Sequence, residues 1–364
     1  MDVAHVKLCK SEDSLRLIEV FHDNSPVFSS DSRVWECGTI LARCLRESPP
    51  SLSHYSLLRD DLFGFVAHAT PSVSAQASST TAVIDLGAGT GIVGLAVARQ
   101  GLARHTFLTE METVVPLLEK NAQLNAAGHF EVYGPGSEIE MVRNIGTCHE
   151  MSSVHVQAFD WRDSQSSENN GCQFPVTRAL YCFNATPRLQ LKFDRVSVFA
   201  SDCVYSPREV DDFMSVMRGI VTDVEQIPGI FKFEVIVAIK LRLHSETNRS
   251  GIAKFLERLG EWIVGAGEIG EDEAKKVWRS PDRILEVMRA GNANDDLAMR
   301  CGLIDRYTAN RRLFLEDVKW KHKLEIIGDI SKKKFSSRKT DDIAIFRISS
   351  ADPCHKVTED VSPN

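Results

Sequence analysis

The sequence predicts an α/β protein built on a doubly wound, mostly parallel seven-stranded sheet, a Rossmann-like architecture with an N-terminal extension and a helical insertion. Three observations carry this reading. The apolar segment Val83-Ile84-Asp85-Leu86 runs directly into Gly87-Ala88-Gly89-Thr90-Gly91 and then into an apolar helix. From residue 82 to residue 241, strand-like and helix-like segments alternate, as parallel strands joined by crossover helices require. Near the C-terminus two strand-like stretches flank a basic linker, as a hairpin closing the sheet would.

Taken in order, residues 14–21 partly alternate and read as a strand, and Gly38 to Leu45 as a short helix led in by Val34-Trp35-Glu36. Residues 47–80 are rich in Ser, Pro and Ala and read mostly as loop. The alternating segments are Ala82–Leu86, Val93–Arg99, Thr106–Thr109, Val114–Leu124, Val154–Ala158, Arg195–Ala200, Val210–Val221 and Glu234–Leu241. The polar run that opens at Asp163 and reaches Lys192 reads as a surface insertion. Residues 252–262 are amphipathic at helical spacing, and Ser280-Pro281 offers an N-cap followed by Pro at the first helical position. Val318–Ile327 and Asp342–Ser349 are the closing strands, on either side of the basic stretch from Lys332 to Lys339. The layout is an N-terminal strand extension at 1–30, a core at 31–262, a helical insertion at 263–316, the closing hairpin at 317–350 and a tail at 351–364.

Composition narrows the class without naming a function. The 364 residues suffice for one large core plus an insertion, and the net charge of −7 argues against nucleic-acid binding through overall charge. The nine cysteines form no Cys-x-x-Cys pair and no Cys/His cluster at metal spacing, so neither a metal site nor a disulfide framework is expected. The opening Met1-Asp2-Val3-Ala4-His5 lacks signal-peptide character, and no apolar run approaches the roughly 20 residues that span a bilayer. The expectation is a reducing compartment, cytoplasm or nucleus, and no membrane.

The glycine-rich turn permits close backbone approach to a ligand, and the helix after it offers free N–H groups. The spacing discriminates between ligands. A dinucleotide fingerprint needs Gly at position 92, where Ile92 stands; the Gly-x-Gly-x-Gly form of Gly87, Gly89 and Gly91, preceded by Asp85, suits S-adenosylmethionine better. The next strand ends in Glu110, at the distance where such folds place the acid for ribose hydroxyls. A third strand ends in Asp160-Trp161, an acceptor for the adenine amine beside an aromatic face. Each of these residues alone reads as surface or core. Together they stand at consecutive carboxyl ends of parallel strands, where these folds bind ligands.

Four blocks then bear a family resemblance: Arg33-Val34-Trp35-Glu36; Asp85 to Gly91; Leu108-Thr109-Glu110-Met111 through Asn125; and Ser201-Asp202-Cys203-Val204-Tyr205. They resemble the seven-strand lysine methyltransferases of methyltransferase family 16, over roughly 30–262. The resemblance implies that Trp35, Gly87, Gly89, Glu110, Trp161 and Ser201 line a pocket for S-adenosylmethionine. Asp85, Ala88, Gly91 and Asp160 complete that pocket. It also implies that Asp202 and Tyr205 face the substrate, a protein lysine; the chemistry of amine methylation then assigns Asp202 as an acceptor that orients the amine or relays its proton, and Tyr205 as the wall of the lysine channel. The chain departs from the family pattern in having Glu110 in place of the usual Asp, in Glu36, and in the helical insertion.

Other readings stay open at this point. The Trp35-Glu36 pair is also similar to a related protein-histidine methyltransferase. Enzymes of this fold that methylate base amines usually carry prolines in the tetrad, where this chain has Cys203 and Val204; the Lys332–Lys339 stretch keeps a nucleic-acid substrate in view. Asp202 alternatively reads as the N-cap of the helix from Pro207, and Tyr205 as a core aromatic. A binding module that kept the fold without catalysis is the remaining class.

Overall fold

The computed structural model describes residues 2–7, 17–22, 33–45, 81–135, 152–161, 174–185, 193–204, 206–230, 232–240, 246–264, 322–329 and 343–350. Tyr205, the 47–80 stretch, residues 265–316 of the helical insertion, the basic run 332–339 and the tail lie outside them.

The described chain begins with strands β1 (Asp2–Lys7) and β2 (Leu17–His22), which pair as an antiparallel hairpin, followed by helix α1 (Glu36–Cys44). The core then runs β3 (Thr81–Leu86), α2 (Ile92–Arg99), β4 (His105–Glu110), α3 (Val115–Ala126), β5 (Phe130–Tyr133) and β6 (Ser152–Ala158). It continues with α4 (Pro175–Ala185), β7 (Arg195–Ser201), α5 (Pro207–Gln226), β8 (Lys232–Lys240) and α6 (Glu246–Val264), and closes with β9 (His322–Asp329) and β10 (Ile343–Ser350).

One sheet holds eight of these strands in the order β5-β6-β4-β3-β7-β8-β10-β9. From β5 to β8 every pairing is parallel; β10 is antiparallel to both β8 and β9. Without the short edge strand β5, this is the seven-stranded, doubly wound sheet with a terminal hairpin that the sequence predicts. The winding reverses between β3 and β7, and an open α/β sheet binds its ligands in the crevice outside the carboxyl ends of the strands at such a point.

Burial explains the unalternating strand sequences. All six residues of β3 and all six of β4 are buried, because helices cover both faces of a parallel sheet. On one face Leu41 of α1, Ile92 and Leu95 of α2 and Leu118 of α3 pack together; on the other, Phe183 of α4, Phe213 of α5 and Phe255 of α6. Each such phenylalanine contributes about 1.5–3 kcal/mol through removal from water.

The structure corrects the reading of residues 163–192 as a surface insertion. That stretch contains α4, whose Val176, Ala179, Leu180 and Phe183 recur at helical spacing and lie in the core. The helix starts where Asp223 of α5 accepts hydrogen bonds from Phe174 N–H (3.3 Å) and Thr177 Oγ1 (2.5 Å). β1 and β5 are further elements absent from the sequence reading. α5 is headed by Ser206, in extended conformation with Pro207 after it, so the N-cap position belongs to Ser206 and not to Asp202.

Candidate active site

The glycine-rich loop between β3 and α2 is tied down residue by residue. Ala88 N–H donates to Thr109 O (3.0 Å), Gly89 N–H to Glu110 Oε2 (2.8 Å) and Gly91 N–H to Ala88 O (2.8 Å), while Thr90 O accepts from Asn121 Nδ2 (3.0 Å). Gly87 must be glycine on two counts: its φ is +65°, and a Cβ there would lie 2.7 Å from the Trp161 ring and 3.2 Å from Cys203 Sγ.

Beneath the loop Asp85 is 1% exposed. Its Oδ2 accepts from Gly94 N–H (2.8 Å), which fixes α2 to the strand, whereas its Oδ1 is buried without a partner. Burial dominates the Gly94 bond and raises the Asp85 carboxyl to a pKa of about 7.

Glu110, at the end of β4, is also buried. Its two oxygens accept from Gly89 N–H and from Met111 N–H, each at 2.8 Å. A carboxylate has about four lone-pair directions, so one such group serves several donors at once. Phe159 N–H donates to Glu110 O (2.7 Å), which sets the end of β6 level with that of β4 and brings Asp160, partly buried, beside the same crevice. Trp161 follows; its ring covers Gly87 and leans on Phe213 of α5, with ring centroids 5.2 Å apart.

The other side of the crevice is built from α1 and the end of β7. Trp35 precedes α1, and its carbonyl accepts from Thr39 N–H (3.2 Å) in the first turn. Glu36 is ion-paired with Lys240 at the end of β8 (3.2 Å). Gly38 lets the helix sit close: a Cβ there would meet Ile92 at 2.8 Å and Ser201 Oγ at 3.3 Å. After Ser201 the chain turns through Asp202, which is buried at φ +58°, the left-handed region that non-glycine residues seldom occupy. Its N–H donates to Ala238 O of β8 (2.8 Å), so the strained residue is locked to the neighbouring strand.

These acids share one electrostatic environment. Burial first, then the carboxylates of Glu110, Asp202 and Asp85, push the Cys203 thiol well above its ordinary range. Burial disfavours charge of either sign, whereas the three carboxylates, which oppose a thiolate, favour a cation such as a sulfonium. Sequence reasoning missed Thr109, whose Oγ1 donates to Asp85 O (3.1 Å), and Asn121, fully buried under the loop. Asn121 could have been found as the polar residue on the apolar face of α3. Among the described residues there is no cluster of three or more His, Cys, Asp or Glu able to hold a metal ion, and no helix long and apolar enough to cross a membrane.

Residues 16–133 match a family described as lysine methyltransferase. The matched segment includes Trp35, the glycine-rich loop and Glu110, and ends before Asp160 and Asp202. No curated protein matches the chain. Solved structures that resemble it include the 23S rRNA methyltransferase ErmE, at 12% identity and a TM-score of 0.28, over 75% of this chain and 63% of that one. A dimethyladenosine transferase from Plasmodium falciparum is 10% identical with a TM-score of 0.28, over 84% and 62%. Trm1 from Pyrococcus horikoshii, in complex with S-adenosyl-L-methionine, is 12% identical with a TM-score of 0.33, over 91% and 59%. The chain thus spans less than two thirds of the length of each of these three. The lysine methyltransferase match covers the glycine-lined, acidic part of this crevice, and S-adenosylmethionine is the cofactor that it fits.

Proposed function

We propose that the chain transfers the methyl group of S-adenosylmethionine to a lysine side chain of a protein. The observation that carries this is the turn at the end of β7. There Asp202, strained and buried, precedes Cys203, whose Sγ lies against Gly87, in a tetrad free of proline, and the lysine-methyltransferase match covers the cofactor half of the same crevice.

In this reading Glu110 accepts the ribose hydroxyls, Asp160 accepts the adenine amine, and Trp35 and Trp161 wall the pocket. Gly87, Ala88, Gly89 and Gly91 bring the backbone close to the amino-acid end of the cofactor, and Asp85 supplies an acceptor below it. Ser201 helps line the crevice where α1 meets β7. When bound, S-adenosylmethionine supplies an electrophilic methyl carbon that passes to a nitrogen lone pair as its bond to sulfur breaks, leaving a neutral thioether.

Asp202 accepts a hydrogen bond from the incoming amine and aims its lone pair along the line of attack; near-attack alignment of this kind supplies much of the rate in group transfer. A lysine enters as an ammonium and must lose a proton first. Desolvation and a neighbouring positive charge lower its pKa, and a carboxylate raises it, so Asp202 acts as an orienting acceptor more than as a strong base. Tyr205 takes its role at the lysine channel from the family resemblance of the tetrad.

The test is labelled-methyl transfer into cell extract followed by amino-acid analysis of the product. Label is expected in methylated lysine. Asp202→Ala is expected to lower transfer at least about 100-fold, the usual scale for a group that aligns or relays a proton, with cofactor affinity changed less than about threefold. Label in histidine or nucleic acid would replace the lysine assignment, and absence of cofactor binding would leave a methyltransferase-like binding module.

A further inference from the structure

One side chain, Asn121, hydrogen-bonds both the N-terminal hairpin and the cofactor loop. Asn121 of α3 is fully buried, and all its hydrogen-bonding groups go to the backbone of two remote segments. Its Oδ1 accepts from Phe21 N–H of β2 (2.7 Å), and its Nδ2 donates both to Phe21 O (3.1 Å) and to Thr90 O in the glycine-rich loop (3.0 Å). Two further contacts hold β2 in place: Lys120 Nζ lies 3.9 Å from the centre of the Phe21 ring, and Val20 is buried against α2 and α3. Thr90 is itself 3% exposed, so its carbonyl has no water to fall back on.

We propose that Asn121 is a positioning residue that makes the hairpin part of the cofactor site: hairpin docking and S-adenosylmethionine binding are thermodynamically linked. An amide has two N–H donors and one carbonyl. Here one donor and the carbonyl clamp Phe21 as a strand partner would, and the other donor holds the loop at the residue between Gly89 and Gly91. A ligand that orders the loop therefore orders Asn121, and Asn121 orders β2. By linkage, undocking of β2 weakens the ligand by the same factor. The inference rests on the cofactor reading of the loop given above.

The experiment has two parts. In the first, amide hydrogen exchange is followed in the wild-type full-length chain with and without saturating S-adenosylmethionine. The β2 segment Leu17–His22 is expected to slow about tenfold, by more than any change in β5, the edge strand that pairs with β6 alone. In the second, binding is measured calorimetrically for Asn121→Asp, which keeps the oxygen facing Phe21 N–H and removes the NH2 that reaches Phe21 O and Thr90 O. Affinity is expected to fall about tenfold, and the ligand-dependent slowing of β2 to disappear. A residue that only supports the fold would lower thermal stability and leave that slowing intact. Unchanged β2 exchange in the wild type overturns the coupling whether or not the variant folds, and so does equal affinity of a folded Asn121→Asp. No binding by the wild type removes the cofactor reading itself, and the coupling with it.

Discussion

Strand β4 begins at His105 and ends at Glu110, and the polar clusters at its two ends behave in opposite ways. At the amino end, His105, Ser153 and His155 bond one another: the histidine nitrogens lie 3.0 Å apart, and Ser153 Oγ is 2.7 Å from one and 3.0 Å from the other. Rings seal the group, with Tyr133 and Phe107 stacked on His155 at 5.1 and 4.8 Å and Phe183 and Phe193 against His105 at 4.8 and 5.2 Å. At the carboxyl end, Asp85 and Glu110 accept from the backbone N–H groups of Gly94, Gly89 and Met111, and Asp202 stands in the left-handed turn after β7. Polar burial alone therefore does not mark a site. Carboxylates gathered at the strand ends beside a glycine-rich backbone that a ligand can approach do.

The largest difference between the two ends is expected in acid. Burial lowers the pKa of His155 to about 3 and that of His105 well below its ordinary value. The folded chain therefore binds fewer protons at these sites than the unfolded chain. The stability they contribute is fully present above the unfolded pKa near 6.5 and is lost as pH falls toward 3, by at most about 5 kcal/mol for His155. Denaturant unfolding at a series of pH values is expected to show this loss. His155→Phe, which keeps a ring for Tyr133 and Phe107 to stack on, is expected to flatten it. Parallel pH profiles for the two proteins would mean that the histidines do not control acid stability.

Next in size is the effect of Glu110→Ala on the carboxyl end. The substitution removes the acceptors of two loop N–H groups, one of them Gly89 N–H, along with the proposed ribose contact. Hydrogen bonds to a charged group are worth about 1.5–3 kcal/mol each, so S-adenosylmethionine affinity measured by calorimetry is expected to drop about 100-fold. His155→Phe is expected to change that affinity less than twofold, since its neighbours lie at the other end of the strands. A variant at position 155 that weakens the cofactor as much as Glu110→Ala would erase the functional contrast between the two ends.

The carboxyl-end cluster was the more legible in sequence, for a physical reason. Its parts sit at fixed places along the chain: strand, glycine-rich turn and helix within Thr81–Arg99, then an acid where the next strand ends. The rest depends on distant partners. Asn121 bonds residues 31 and 100 positions away, and α4 is capped by an aspartate 49 positions from Phe174. No local pattern announces such pairs. β5 escaped notice because four residues are too few to display a period. The left-handed turn at Asp202 is legible only in the backbone, because aspartate tolerates that conformation without requiring it.

The smallest expected effect gives the two ends pH slopes of opposite sign. Asp85 titrates at about 7 in the folded chain, above its unfolded value, because burial disfavours its charge. Its contribution to stability is therefore fully present below about pH 4 and is lost as pH rises through 7, the reverse of the histidines. Binding runs the other way. S-adenosylmethionine brings a sulfonium and an ammonium into the crevice, and positive charge favours ionised Asp85, whose Oδ1 is buried without a partner. Affinity is expected to rise between pH 6 and 8 by roughly three- to tenfold, with protons released on binding below pH 7. Calorimetry in buffers of different ionisation enthalpy measures that release directly. Asp85→Asn still offers an oxygen to Gly94 N–H and has no proton to lose. It is expected to abolish both the release and the slope, and to raise stability at neutral pH. Proton release that persists in Asp85→Asn would move the titration to another group in the crevice and leave Asp85 with the fold alone.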